Sequence, residues 1–447
     1  MKREIKFKQT EIGMIPEEWE VEPIGNHVKL VKGISYRSDD YCSEEKGLIL
    51  INLKCVGRNG GFRADGIKYI QTAPKLEQFV SEGDILIANT DLTQNREVIG
   101  SPIKIPKLKR KACFSLDLSK LIINKTIDST FLYYYLMSPN ARNFMVSSGT
   151  GTTVVHLDTS NVPKMLIILP PLTEQRAIAK ILSDLDAKIE LNQQINKILE
   201  EIGQAIFKHW FVDFEFPNEE GKPYKSSGGE MVYNEELGKE IPKGWRVGRL
   251  GELVEQIESG SRPKGGASDS GIPSIGAENI LGLGLYDYLS TKYVPEDFYE
   301  HMKQGKVRDF DVLFYKDGAQ LGRTSILGLG FPFKKCCINE HVFIIRVKSP
   351  LNQIFLYFWS TLSSTKDDIR NLNTNSAQPG INKEGVKSLR ILVPQRETSD
   401  EFERRIKPLI VAIFKNCLES QILSQIRDAL LPKLMSGKIR VPLEGKE

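Results

Sequence analysis

Two long stretches of the chain carry apolar residues at intervals of three and four, the spacing of one face of an amphipathic helix. The first stretch covers residues 173–210 and includes Ile178, Leu182 and Leu185. The second stretch covers residues 402–430. Because both greatly exceed the average helix of about 11–12 residues, we predict two long helices that pair with each other.

Local signals set further expectations for these helices. Thr173 is placed to cap the start of the first helix. Asn192 and Asn196 lie near its apolar seam, where polar side chains commonly fix the register of paired helices at a cost in stability. Residues 398–401 have the pattern of a capping box for the second helix. Pro408 should kink that helix or delay its start, because proline lacks an amide hydrogen.

The remainder of the chain is a repeat. Residues 15–25 reappear 226 positions later, so that Trp19 corresponds to Trp245. Each copy alternates short apolar runs with glycine-containing turns, which indicates a mixed α/β unit. In the first copy the predicted elements are two buried strands and one aromatic-rich helix, at residues 84–88, 166–169 and 129–137.

The order domain, helix, domain, helix predicts the fold class. If the first helix carries the chain away from one domain, the second must carry it back. We therefore predict an α+β protein with two homologous domains separated by an antiparallel coiled coil, with pseudo-two-fold symmetry. The predicted segments are an arm (1–14), a first domain (15–170), a long helix (171–216), a linker (217–240), a second domain (241–394), a second long helix (395–437) and a tail (438–447).

Composition narrows the class of protein. The chain has 447 residues, 40% hydrophobic and 26% charged, with no apolar run long enough to span a membrane. Its charged N-terminus, with no apolar core after it, leads us to expect no secretory signal. Its six cysteines form no Cys-x-x-Cys pair, and its five histidines lack metal-ligand spacing. We expect a cytoplasmic protein with no metal of its own. A net charge of +4 leans towards a polyanionic partner without deciding the matter.

Several motifs together resemble a known family. Residues 170–175 (Pro-Pro-Leu-Thr-Glu-Gln), 209–214 (His-Trp-Phe-Val-Asp-Phe) and 430–439 (Leu-Leu-Pro-Lys-Leu-Met-Ser-Gly-Lys-Ile) resemble conserved regions of the specificity subunits of type I restriction-modification systems. Residues 15–19 and 241–245 resemble the openings of that family's target-recognition domains. The resemblance covers nearly the whole chain in the expected order.

The resemblance implies a function. Each recognition domain would read one half of a bipartite sequence in double-stranded DNA, and the helices would set the unread spacer. The chain itself would catalyse nothing. It would assemble with two methylation subunits and with restriction subunits, and S-adenosylmethionine, ATP and magnesium would bind those partners. One departure is residues 394–397, Pro-Gln-Arg-Glu, where the second copy lacks the full Pro-Pro-Leu-x-Glu-Gln motif.

Polar loops at matching places in both copies are the candidate DNA-binding sites. Reading a base edge requires side chains that donate and accept hydrogen bonds, while Lys and Arg also hold phosphates. For each loop the alternative is a solvated surface turn. The candidate residues are Tyr36, Arg37, Thr90, Gln94, Arg96, Thr150, Thr152 and Thr153 in the first copy, and Arg262, Lys264, Lys316, Gln320, Arg323, Asn375 and Gln378 in the second.

The aromatic clusters have a structural interpretation. Residues 133–135 and 357–359 fall in helical runs, which favours core packing over base stacking. Trp19 and Trp245 are also expected to be structural. Residues 210–214 would attach the first helix to the second domain, and the exposed back of the helix pair is the better docking surface for other subunits.

Two other function classes remain open from the residues alone. A DNA methyltransferase or nuclease is disfavoured, because residues 282–286 form only a lone glycine pattern and residues 311–316 supply only one carboxylate near a lysine. A coiled-coil adaptor with two protein-binding heads and no DNA is the second alternative. The paired basic and Gln/Asn loops argue mildly against it.

Overall fold

A computed structural model of the protein describes residues 6–58, 60–372 and 380–442. The chain forms two compact units. Unit 1 contains the chain up to Ala187 and the chain from Leu423 onward, while unit 2 runs from Lys188 to Ile422. Both divisions fall inside the long helices, so each unit owns part of both. The sequence-based division instead sets the helices apart as segments of their own.

Unit 1 is a mixed α/β unit. Its strands form two four-stranded sheets, ordered β10-β8-β12-β4 and β6-β5-β11-β7, with a three-stranded sheet β13-β14-β9 and the pairs β1/β2 and β3/β15. The elements are β1 (Phe7–Thr10), β2 (Gly13–Pro16), β3 (Glu20–Pro23), β4 (Val28–Lys32), β5 (Leu48–Ile51), β6 (Lys68–Ile70), β7 (Phe79–Val80), β8 (Ile85–Ala88), β9 (Thr90–Asp91), β10 (Pro102–Lys104), β11 (Ala112–Phe114), β12 (Leu118–Ile123), α1 (Ser129–Met137), α2 (Pro139–Ser147), β13 (Gly149–Thr150), β14 (Val155–Leu157), β15 (Leu166–Leu169) and the start of α3 (Leu172–Phe211).

Unit 2 repeats this plan. Its sheets are ordered β19-β25-β22-β23 and β21-β20-β24, with the pairs β16/β17 and β18/β26. The elements are β16 (Met231–Asn234), β17 (Lys239–Pro242), β18 (Arg246–Arg249), α4 (Leu250–Leu253), β19 (Val254–Ser259), β20 (Ile272–Ile275), β21 (Lys292–Val294), α5 (Glu296–His301), β22 (Asp311–Tyr315), β23 (Thr324–Leu327), β24 (Cys337–Ile338), β25 (Val342–Val347), α6 (Gln353–Thr361), α7 (Ser363–Asn371), α8 (Lys383–Ser388), β26 (Arg390–Val393) and α9 (Arg396–Met435).

The duplication predicted from the sequence is confirmed in the main sheet and the long helices, although β7 and the sheet β13-β14-β9 of unit 1 have no counterpart among the described strands of unit 2. The sheet β4-β12-β8-β10 corresponds to β19-β25-β22-β23, and β5 pairs in parallel with β11 as β20 does with β24. The predicted strands at residues 84–88 and 166–169 are β8 and β15, and the predicted helix is α1. The aromatic residues of α1 and α6 are buried, as expected for core packing.

The hairpins β1/β2 and β16/β17 lie partly in two segments for which the sequence predicted no strands. The predicted arm, residues 1–14, contributes β1 and the start of β2, and the predicted linker, residues 217–240, contributes β16 and the start of β17. Each segment therefore holds part of the same two-stranded element that opens a copy. Polar composition hid these strands, because a two-stranded hairpin with one solvated face needs few apolar residues.

Both long helices begin earlier than their capping signals indicate. In α3 the amides of Glu174 and Gln175 donate to the carbonyl of Pro171, so Thr173 is a helical residue and its predicted capping role is wrong. In α9, residues 398–401 lie inside the helix, and Pro408 does not delay its start. No helix of the described residues is long and apolar enough to cross a membrane.

Burial explains why α9 tolerates its proline. Phe402, Ile406, Ile410 and Ile413 are all at most 1% exposed in unit 2. Each contributes roughly 1.5–3 kcal/mol when removed from water. Together they outweigh the cost of about 3 kcal/mol for proline within a helix.

The helices pair antiparallel in unit 2, and asparagines at their seam fix the register. Asn192 is fully buried and donates to Glu419 at 2.8 Å, while Asn416 donates to Asn196 at 2.9 Å. Contacts therefore move back along α9 as they move forward along α3. The sequence-based roles of Asn192 and Asn196 at the seam are confirmed, since a buried amide would lose its partners if the register slipped.

A segment that follows α9 closes unit 1 over a tryptophan. Trp19 donates its indole hydrogen to Glu174 at 2.9 Å, and Arg440 donates to both oxygens of Glu174 at 2.6 and 2.8 Å. The Arg440 guanidinium also lies 5.5 Å from the Trp19 ring centroid and pairs with Glu18 at 2.8 Å. We call residues 436–441 the C-terminal strap.

The segment that follows α3 closes unit 2 in the corresponding way. Phe216 stacks on Trp245 with ring centroids 4.9 Å apart, and Phe214 contacts the same ring edge-on. We call residues 212–217 the central strap. The residue corresponding to Glu174 is Thr398, which explains the motif departure, because a strap that presents Phe216 rather than Arg440 needs no carboxylate. The predicted attachment of residues 210–214 to the second domain is confirmed.

Removal of the Arg440 side chain should destabilise unit 1. Arg440→Ala leaves the buried Glu174 carboxylate without its charged partner, and breaking a buried pair from one side costs about 3–5 kcal/mol. We expect a lower urea midpoint by circular dichroism. The matched control is Arg404→Ala, which breaks an exposed pair with Glu401 on α9 and should cost less than about 1 kcal/mol. Equal losses for the two variants would contradict the role of the strap.

Candidate nucleic-acid interface

One glycine in each unit brings the candidate loops to the same edge. An added Cβ at Gly33 would overlap the carbonyl oxygens of Phe114 and Ser115, and one at Gly260 would overlap that of Ile338. No side chain fits at either place, because the backbones are in contact. The loop after β4 therefore lies beside the segment after β11, and the loop after β19 lies beside the segment after β24.

Four segments meet at this edge of unit 1. They are residues 33–37, 89–96, 115–117 and 149–157, and we call them the loop edge of unit 1. The sheet β13-β14-β9 joins the second segment to the fourth. Further main-chain hydrogen bonds run from Leu116 to Ile34 at 2.8 Å, from Asn89 to Asp117 at 2.7 Å and from Leu157 to Asn89 at 2.8 Å.

Asp91 shapes the loop after β8. Its side chain is fully buried and accepts hydrogen bonds from the amides of Thr93, Val98 and Ile99 at 2.6, 2.6 and 2.7 Å. Burial alone would raise its pKa, but these amides and the Thr93 side chain hold the pKa of Asp91 below its ordinary value. The loop is therefore wrapped around a buried carboxylate.

Three candidates in unit 1 are engaged in holding the loops. Thr90 is buried and donates to Asp117 at 3.2 Å, and Thr150 donates to the His156 carbonyl at 3.3 Å. Arg96 donates to main-chain carbonyls at the end of α2 and in the following loop. These acceptors are Val146 and Gly149 at 3.4 Å and Gly151 at 3.3 Å. Such contacts favour a structural role for all three residues.

The other candidates of unit 1 are open to solvent. Arg37, Gln94, Thr152 and Thr153 are exposed, and Tyr36 is half-buried. The Tyr36 hydroxyl accepts from that of Tyr41, and burial raises its pKa. These side chains offer donors and acceptors at the loop edge.

A chain of polar side-chain contacts joins the loops of unit 2. Arg262 lies 2.9 Å from Glu340, Glu340 lies 3.4 Å from His341 Nε2, and His341 Nδ1 lies 2.7 Å from Asp317. The segment after β24 therefore connects residues 260–264 with residues 316–323. We call these three segments, with residues 380–381, the loop edge of unit 2.

The remaining candidates of unit 2 lie on this loop edge. Lys264 and Gln320 are exposed. Lys316 is half-buried, with its ammonium 5.1 Å from the Phe343 ring centroid, and its carbonyl accepts from the amide of Ile381 at 2.8 Å. Arg323 donates to Gln320 at 2.8 Å. Asn375 and Gln378 lie outside the described residues.

The register of the strands shows that Arg96 and Arg323 do not occupy equivalent positions in the two copies. By sequence, Arg96 and Arg323 stand in corresponding loops. The pairing of β10 with β8 and of β23 with β22 instead aligns Arg323 with Ser101. The chain takes twelve residues from Ala88 to Gly100 but only seven from Tyr315 to Gly322. The two loops therefore differ in length, and the two arginines in position.

Sequence reasoning missed the segments at residues 115–117 and 339–341. Asp117 and His341 connect loops that lie far apart in the sequence, and Glu340 holds Arg262. The sequence did contain a signal for these segments, because each one follows a short buried strand and the two strands lie at similar positions in the repeat. Within the described ranges, no three His, Cys, Asp or Glu side chains are placed to hold a metal ion.

Comparison with known proteins identifies the family. The sequence profile of the type I restriction modification DNA specificity domain matches residues 16–201 and again residues 242–430. The chain belongs to this family. The two matches coincide with the two copies and include most of both long helices.

Relatives match over nearly the full chain. The specificity subunit of the type I restriction enzyme MjaIX from Methanocaldococcus jannaschii is 28% identical, over 98% of this chain and 97% of its own. The EcoKI specificity subunit of Escherichia coli is 23% identical, over 96% and 90%. The crystal structure of a type I restriction-modification S subunit from M. genitalium shares the fold, with a TM-score of 0.52 at 16% identity over 93% of this chain and 96% of that chain.

The Asp91 carboxylate should stabilise unit 1 in a pH-dependent way. Asp91→Asn weakens three buried hydrogen bonds to a charged acceptor and should cost on the order of 2–3 kcal/mol at neutral pH. Because the folded pKa is lowered, this stabilisation is complete above the ordinary pKa of 3.8 and is lost as the pH falls through the lower folded value. Urea midpoints across the acid range should therefore converge for the two proteins below about pH 4.

The matched control for this measurement is Glu82→Gln, which removes an exposed carboxylate in the turn before β8. It should shift the midpoint little at any pH. A gap between the wild type and Asp91→Asn that widens in acid would contradict the assigned pKa direction.

Proposed function

We propose that this chain is the DNA-reading subunit of a type I restriction-modification complex, and that each loop edge reads one half of a bipartite target in duplex DNA. One observation carries the proposal. Two matched DNA specificity domains share their main sheet and the same glycine at the loop edge, but present different side chains there. An adaptor that does not bind DNA is not favoured by this family match.

The exposed side chains suit recognition in a groove. Arg37 and Gln94 in unit 1, and Lys264 and Gln320 in unit 2, supply hydrogen-bond donors, and the amides also supply acceptors. Arginine and glutamine can pair with guanine and adenine edges, while lysine suits phosphate. Because the two sets differ, the two half-sites should differ in sequence.

The division of labour in the complex is part of the proposal. The chain would supply recognition, and chemistry would belong to its partners. Two methylation subunits would bind S-adenosylmethionine and transfer the methyl group, and restriction subunits would use ATP and magnesium to cleave. The family match supports the recognition role.

The long helices would set the unread spacer and dock the methylation subunits. Each helix has 40 residues, roughly 60 Å at 1.5 Å per residue, and passes from one unit to the other. Within unit 2, α3 carries an exposed apolar stripe of Leu191, Ile195, Ile198 and Ile202 at intervals of four, three and four. Such a stripe fits the apolar face of a partner helix.

Methylation mapping tests the recognition function. Cells that express this chain with its methylation subunits should carry methylated adenine at a single interrupted sequence with two unlike halves. Replacing residues 89–96 should change one half only, and replacing residues 316–323 should change the other. A single uninterrupted target, or a change in both halves from one replacement, would contradict the proposal.

Lengthening both helices should lengthen the spacer. Insertion of seven helix-forming residues between Ala187 and Lys188, and of seven more between Ile422 and Leu423, preserves the phase of the apolar seam. Each insertion adds about 10 Å, or roughly three base-pair steps of about 3.4 Å. The mapped spacer should grow by about that amount while both halves stay unchanged. Insertion into α3 alone is the control and should abolish methylation, because the helices then differ in length.

Charges on the apolar stripe should weaken docking. Ile195→Glu/Ile198→Glu should raise the Kd for the methylation subunit by at least about 30-fold, since each buried isoleucine contributes roughly 1.5–3 kcal/mol. The matched control is Gln193→Glu/Gln194→Glu, which adds the same charge at exposed neighbouring positions. Analytical ultracentrifugation of the mixed subunits measures both. Unchanged assembly of the isoleucine variant would remove the stripe from the interface.

A further inference from the structure

A basic cavity lies beside the loop edge of unit 2. Its volume is about 350 Å³, and residues 318–323 form one wall while Lys366 and Arg370 of α7 form another. Arg323, Lys366 and Arg370 are its charged lining residues, and no carboxylate lines it among the residues that the structure describes. The cavity therefore carries a concentrated positive charge.

The helix α7 holds its two basic residues towards this cavity. Thr365 and Ile369 are buried, and Lys366 and Arg370 each follow one of them in sequence. Residues four apart lie on the same face of a helix, so anchoring the buried pair orients the basic pair. Arg370 also contacts Asp367 at 3.0 Å, an exposed pair that leaves most of the guanidinium donors available.

Unit 1 is closed at the corresponding place. Register aligns Arg142 of α2 with Lys366, and Arg142 donates to the carbonyls of Ile99 at 2.6 Å and Glu97 at 3.2 Å. Both carbonyls belong to the loop that is five residues longer in unit 1. Burial lowers the pKa of Arg142. The other two positions carry no basic residue in unit 1, since Ser101 stands in the position of Arg323 and Val146 in that of Arg370. The shorter loop of unit 2 is what leaves the cavity open.

The chemistry of the side chains lining the cavity selects its ligand. The three charged side chains, arginine and lysine, only donate hydrogen bonds, and the Gln320 oxygen accepts one from Arg323. A base edge presents both donors and acceptors, whereas a phosphate presents acceptors alone.

Arg323 and Lys366 also line an adjoining cavity of about 540 Å³, where Glu200 accepts from Tyr357 at 3.0 Å and Gln204 at 3.3 Å.

We propose that Arg323, Lys366 and Arg370 form a phosphate-binding subsite that holds one backbone phosphate of the DNA beside the half-site read by unit 2. The subsite has no counterpart in unit 1. This inference rests on the proposed function. It makes Arg323 a phosphate contact that sets position and affinity, rather than a reader of sequence.

Salt-dependent binding by the complex tests the subsite. The chain with its methylation subunits is titrated with a duplex carrying the mapped target and with a duplex of scrambled sequence, at salt concentrations from about 0.05 to 0.3 M. Lys366→Gln/Arg370→Gln should reduce the slope of log K against log salt by about one. The Kd at about 0.15 M salt should rise about tenfold, equally on both duplexes. Arg323→Gln should act in the same direction.

The matched control is Lys348→Gln/Arg390→Gln, which removes the same charge from exposed positions of unit 2. It should change the Kd less than twofold. Thermal melting checks that each variant folds, and Arg370→Gln, at an exposed position, replaces the double variant if the latter does not. Inorganic pyrophosphate forms a second arm, because it should compete with DNA for the wild-type complex better than for the variant.

The outcomes separate the inference from the function on which it rests. An unchanged salt slope overturns the subsite, as does a loss confined to the target duplex, which would indicate a base contact. Stabilisation of the wild type alone by pyrophosphate, with identical DNA binding by both proteins, would assign the site to a free anion and also overturn it. Failure of the wild-type complex to bind either duplex would instead overturn the proposed function.

Discussion

Each unit of this protein is closed over a tryptophan by a strap that follows one of the long helices, and this closure is the constraint on which the rest depends. Trp19 is covered by Arg440, and Trp245 by Phe216. Each strap follows a long helix whose other end belongs to the other unit. Unit 1 therefore completes its core from two separate stretches of the sequence, whereas unit 2 is a single stretch from Lys188 to Ile422. A duplicated fold linked in this way couples the two copies covalently through both helices, whatever residues occupy the loops.

The two straps cover their tryptophans through different kinds of interaction. In unit 1 a buried carboxylate, Glu174, joins an indole and a guanidinium, and in unit 2 an aromatic stack joins Phe216 to Trp245. A buried ion pair gives geometric specificity at a high desolvation cost, whereas stacked rings gain from burial with looser orientation. Because Glu174 and Arg440 change together to Thr398 and Phe216, neither copy carries an unpaired buried charge.

Much of the fold could be predicted because it follows from repetition and periodicity. The repeat, both long helices and the buried aromatic helices all leave local patterns in the sequence. The hairpins that open each copy could not be predicted, since their strands are short and polar. The caps were misplaced because residues 398–401 match a capping pattern that also occurs inside a helix. The loop edge was only partly predicted, because Asp117, Glu340 and His341 act through contacts that are distant in sequence.

The loops show why position after a strand is a weak guide to role. Arg96 and Arg323 follow corresponding strands. Arg96 donates hydrogen bonds to carbonyls of its own unit, whereas Arg323 lines a basic cavity. The cause is a difference of five residues in loop length. The longer loop supplies two carbonyls that accept hydrogen bonds from Arg142, so this guanidinium is engaged within unit 1. Loop length can therefore determine whether a basic residue contacts its own unit or is available to a polyanion. In this way a single scaffold can supply two half-site readers that bind DNA with unequal affinity.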